Sequence, residues 1–133
     1  MRADTAHNLQ GEKKDKMKDV HLERAIENSM PKPGSGYTEE TWKRATEFLW
    51  KTAEVFYDQL GGRTFFPPAI NTGPYGSINL HWDQQKFELL LSFPASPTQF
   101  PSCRGTDSYG VPIKRELKHP KDYVAMAKWM RHA

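Results

Sequence analysis

The stretch from Gly76 to Pro94, GSINLHWDQQKFELLLSFP, constrains this chain more than any other. Ile78, Leu80 and Trp82 alternate with Ser77, Asn79 and His81; beyond Gln84 and Gln85, Phe87, Leu89, Leu91 and Phe93 alternate with Glu88, Leu90 and Ser92. A period of two sends successive side chains to opposite faces, so the pattern predicts two antiparallel strands that share one apolar face. With Asp83 opposite Lys86, the expected core pairs are Trp82 with Phe87, Leu80 with Leu89 and Ile78 with Leu91. His81 then falls opposite Glu88 on the other face, where a hydrogen bond is expected. A catalytic dyad would also need a nucleophile or a water within about 3 Å. Ser77 and Ser92 share that face, but at strand rise they stand about 13 Å away. His81 and Glu88 are therefore the candidate catalytic residues, with a structural cross-strand pair as the expected role.

A long helix should precede the hairpin. Thr38 is placed to cap it, Glu39 and Glu40 suit the positive end of the helix dipole, and Trp42, Ala45, Leu49, Ala53, Phe56 and Leu60 recur at steps of three and four. Gly61 and Gly62 should stop it. Phe48, Trp50, Val55 and Tyr57 widen its apolar surface beyond one stripe, which makes them the candidate residues for a protein partner or for self-association. Upstream, PKPGSG at residues 31–36 reads as a linker, Lys18 to Met30 as a short helix, and Met1 to Asp19 as a polar, disordered arm. The expected organisation is an arm and linker over residues 1–36 and a single domain over residues 37–133.

Between the helix and the hairpin, FFPPAINTGPYG reads as a proline-rich crossover rather than a strand, closed by a type I turn at Gly73–Gly76. Past Pro94, residues 95–112 form a Pro-, Ser- and Gly-rich excursion, a length at which a loop often serves binding. Val111 to Leu117 supplies a third strand, and Pro120 opens a C-terminal helix with Tyr123, Met126, Ala127 and Met130 as its stripe. The fold class expected is α+β: a long helix, a three-stranded antiparallel meander and a C-terminal helix, with both helices on the Ile78, Leu80 and Trp82 face.

Composition bounds the function. The chain has 133 residues, 37% of them hydrophobic, and a net charge of +3. The basic excess is local: residues 101–133 hold seven Lys and Arg against three Asp and Glu. Arg104, Lys114, Arg115 and Lys118, with Tyr109 as a stacking group, form a candidate nucleic-acid surface. The single cysteine, Cys103, excludes an internal disulfide, and with His81 or His119 it would make a nucleophile and base only if the fold joined them. The five histidines have no metal-ligand spacing, and no phosphate-binding glycine loop, zinc-hydrolase helix or nucleophile elbow is present. No cofactor or metal is therefore expected. Without a signal-peptide core or an apolar run of membrane-spanning length, a cytoplasmic location is expected.

The strings GPYGSINLHW and FELLLSFPAS, after a Trp-bearing amphipathic helix, resemble a pattern of small prokaryotic proteins in which a Gly-Ser-Ile-x-Leu-x-Trp strand pairs with a following apolar strand. That resemblance spans about Thr41 to Leu117 and implies the hairpin fold without implying catalytic residues. The function expected from these readings is a non-enzymatic interaction or regulatory subunit, antitoxin-like or accessory in kind. A nucleic-acid binder is the alternative, and a small hydrolase or nuclease is third.

Overall fold

The computed structural model describes residues 20–59 and 65–132; the expected disordered arm at Met1–Asp19, the stripe residue Leu60 and the stop at Gly61 and Gly62 lie outside them. The elements run α1 (Val20–Asn28), α2 (Glu39–Gln59), β1 (Ala69–Thr72), β2 (Ile78–Asp83), β3 (Phe87–Phe93), β4 (Ser102–Asp107), β5 (Pro112–Glu116) and α3 (Pro120–His132). All five strands join one antiparallel meander in the order β1-β2-β3-β4-β5. The three helices cover one face of it. No helix among the described residues is long and apolar enough to cross a membrane.

Helix α2 starts where its cap permits: the Thr41 amide donates to Thr38 Oγ1 at 3.2 Å. Thr41, Ala45, Phe48, Leu49, Thr52, Ala53 and Phe56 are buried along it, a stripe at helical spacing. Helix α1 adds Leu22 and Ile26 to the same core cluster, so residues 20–28 pack with the sheet domain. Ser29 fastens the end of α1 to α2, since its hydroxyl accepts from Trp42 Nε1 at 2.9 Å and its carbonyl from the Tyr37 hydroxyl at 2.6 Å.

Trp82 sits at the centre of the core, wholly buried, with Nε1 donating to the Phe66 carbonyl at 2.6 Å. Its ring meets Phe65 at 6.1 Å, and Phe65 meets Phe56 of α2 at 5.1 Å. A second aromatic chain joins α2 to β3 and α3: Phe48 lies 5.3 Å from Phe93 and 5.0 Å from Tyr123, edge to face in both pairs.

The sheet departs from the expected meander in three ways. It has five strands rather than three. The prolines at 67 and 68 end just before β1, which pairs on one side only and so tolerates them as neighbours. Within the 95–112 excursion, Ser102–Asp107 forms β4 between β3 and β5; its own residues have weak strand propensity, and pairing on both sides supplies what propensity does not. The β2–β3 register is also displaced by two residues: Ile78 pairs with Phe93, Leu80 with Leu91, Trp82 with Leu89 and Asp83 with Glu88. A shift of two keeps every side chain on its face, so alternation alone could not choose between the registers. The observed turn lies one residue further on, at Gln85–Lys86, and closes through the Gln84 amide and the Phe87 carbonyl at 2.9 Å; this register also sets buried Phe93 opposite buried Ile78. Among the described non-glycine residues only Tyr75 has positive φ, at 56°. That value replaces the expected type I turn at Gly73–Gly76 with one whose third residue is left-handed.

Gly105 marks the closest approach of β4 to β3. A Cβ there would stand 2.2 Å from the Glu88 carbonyl oxygen. Gly105→Ala should therefore cost about 1 to 3 kcal/mol, and Trp82→Ala about 3 to 5 kcal/mol, both read as shifts in denaturant midpoint. A loss below about 1 kcal/mol for Trp82→Ala would contradict its place at the centre of the core.

Candidate binding surface on the open sheet face

Because the apolar residues of β2 and β3 other than Leu90 point toward the helices, the alternate positions form a second face, and no described element lies over it. Strand pairing arranges that face in rows. The central row crosses all five strands as Ala69, His81, Leu90, Arg104 and Lys114. One side of it is flanked by Asn71, Asn79, Ser92, Ser102 and Glu116, the other by Asp83, Glu88, Thr106 and Pro112. A shallow hollow of about 640 Å³ lies over the central row, and one of about 520 Å³ adjoins it toward Ser92 and Glu116.

Most polar groups here are already engaged. His81 Nε2 and Glu88 Oε2 are 2.8 Å apart, although the strand partner of His81 is Leu90; the contact runs diagonally across the pair. Ser92 Oγ donates to Asn79 Oδ1 at 3.0 Å, and Lys118 Nζ lies 3.1 Å from Glu116 Oε1. Arg104 and Lys114 differ. They are direct partners across β4 and β5, both are exposed, and neither has an ion-pair partner among the described residues. Like charges directly opposite on neighbouring strands repel.

The other sequence candidates are dispersed. Arg115 follows Lys114 and so takes the opposite face, where Nη1 donates to Asp122 Oδ1 at 2.8 Å. Lys118 follows β5, and besides its contact with Glu116 its ammonium stands 5.7 Å over the Phe100 ring. Tyr109 stands 87% exposed at the tip of the β4–β5 hairpin. The basic residues of the last quarter are thus divided between two faces and an edge. On α2, Phe48 is 4% exposed and belongs to the core, while Trp50, Val55 and Tyr57 are half-buried against it.

Nucleophiles do not join the His81–Glu88 pair. The Ser77 hydroxyl donates to the Pro74 carbonyl at 2.7 Å, and the Ser92 hydroxyl is held by Asn79. Cys103 lies on the helix-covered face, 2% exposed, with burial pushing its thiol up to about 11. Among the described residues no group of three or more His, Cys, Asp or Glu converges as a metal would require. The alternation already puts Asn79 and Leu90 on this face without marking them as binding residues, whereas Asn71 lies in the segment expected to be a crossover and found as β1.

Comparison with known protein families, with curated proteins and with solved structures finds no match for this chain.

Asp122 ties β5 to α3. Its carboxylate accepts from the amides of His119 at 3.0 Å and Lys118 at 3.1 Å as well as from Arg115. These bonds, the His119 amide foremost, hold its pKa below the usual aspartate range. A depressed folded pKa gives stability that is present above the unfolded value of about 4 and is lost as pH falls through the folded value. Asp122→Asn should therefore be less stable than the parent at neutral pH, with the difference in denaturant midpoint shrinking as pH falls below the unfolded value of about 4. A gap that does not change with pH would sink this assignment.

Proposed function

We propose that this protein is a non-enzymatic interaction subunit, regulatory or accessory to another protein, and that it binds its partner with the open face of the sheet. The observation that carries the reading is the sheet face that no described element covers, whose central row combines Leu90 with Arg104 and Lys114. A protein surface that offers an apolar centre and free hydrogen-bonding groups is suited to recognition. The sheet edges are less suited to it: β1 has four residues, and β5 carries Pro112 and three consecutive charged residues, features that discourage strand addition. Helix α2, with Phe48 in the core, offers less aromatic surface than its sequence suggests.

A second reading, nucleic-acid binding, rests on the Arg104–Lys114 couple, which has no ion-pair partner among the described residues. It is weaker because Arg115 and Lys118 are engaged elsewhere and the described strands turn no Phe, Tyr or Trp to the open face for base stacking. Two phosphate contacts would give a shallow salt dependence.

Purification of the tagged chain from its native host, with identification of bound protein and nucleic acid, tests the choice. A stoichiometric protein partner is expected, lost from Leu90→Arg and retained by Trp50→Ala. Single-stranded or duplex binding tighter than about micromolar at physiological salt, abolished by Arg104→Ala with Lys114→Ala, would instead establish the second reading.

A further inference from the structure

We infer that the partner of the open face is an acidic protein segment, whose carboxylates are received by Arg104 and Lys114 while an apolar side chain rests on Leu90. The inference rests on the proposed role of this face and adds the chemistry of what it binds. Neighbouring positions decide the sign of the charge. Glu88 is bonded to His81 and Glu116 to Lys118, so these two flanking carboxylates already have partners, and Asp83 lies opposite Glu88 on β2, two strands away from Arg104. Among the described residues the cations of that row have no such partner. Their register sets them side by side on β4 and β5, where Cβ atoms of opposed residues stand about 5 Å apart. Each therefore raises the local positive potential at the other, and an incoming carboxylate relieves the repulsion of both.

Leu90 adds an apolar contact on the same row. It pairs with His81 on one side and Arg104 on the other, and it is the only large aliphatic side chain that β2, β3 or β4 turns to the open face. Acidic and apolar groups close together in the partner therefore match this row better than a phosphate chain does. A nucleic acid would carry its repeated phosphates past this row toward Asp83, Glu88 and Glu116, whereas a peptide can place its carboxylates at the two cations alone.

The probe is a blocked peptide of repeated Glu-Glu-Leu, added to the isotopically labelled full chain and followed by amide chemical shifts. A Lys-Lys-Leu peptide and a single-stranded oligonucleotide of similar length serve as comparisons. Saturable shifts confined to His81, Leu90, Arg104 and Lys114 are expected with the acidic peptide alone. Arg104→Glu with Lys114→Glu should weaken that binding by about tenfold and create binding of the basic peptide. Tighter binding of the oligonucleotide at these residues, face shifts that depend on protein concentration without peptide, or an unchanged response in the double variant would each overturn the inference. So would a native partner that is lost from Leu90→Arg but bound equally by the double charge reversal, a result that leaves the sheet-face reading standing.

Discussion

The organisation of this protein depends on the period of two in β2 and β3. Seven large apolar side chains, from Ile78 to Phe93, are placed on one side of the sheet by strand geometry, and the burial of that side draws all three helices to it. The other side keeps the alternate residues and is left open by the same cause. Core and candidate site are in this sense two outcomes of one constraint, with Trp82 and Leu89 paired on one face while His81 and Leu90 are paired on the other.

The same parity separates the charges. Lys114 and Arg115 are neighbours in sequence, yet one stands on the open face and the other reaches Asp122 at the start of α3. A run of cations that looks like a single basic patch is thereby split into a couple on the open face, Arg104 with Lys114, and a tie on the helix side that holds β5 to α3. The tie serves the fold: Asp122 also accepts the His119 and Lys118 amides, groups that the first turn of α3 leaves without helical partners.

Aromatic residues on α2 show a similar division. Their number suggests an outer surface, but Phe48 meets Phe93 and Tyr123, and Trp42 reaches back to Ser29 at the end of α1. A helix that contacts a sheet, a second helix and a third at its start can bury more than one stripe, so excess apolar surface on a single element is weak evidence of a missing partner.

The sequence by itself determined the α+β class, the capped start of α2, the β2–β3 hairpin and which residues of that hairpin face the core, because each follows from local periodicity or from hydrogen bonds within a few residues. Only the tertiary structure decided the number of strands. Ala69–Thr72 and Ser102–Asp107 lack a strong strand signal of their own and are held by the neighbours they pair with. It also decided the register, since a shift of two residues leaves the alternation unchanged and only the folded sheet shows Phe93 set opposite Ile78. The His81–Glu88 contact was legible even from the wrong register, because long side chains reach diagonally across a strand pair. The juxtaposition of Arg104 with Lys114 was not legible, because it depends on β4, and nothing local distinguishes that strand from a loop.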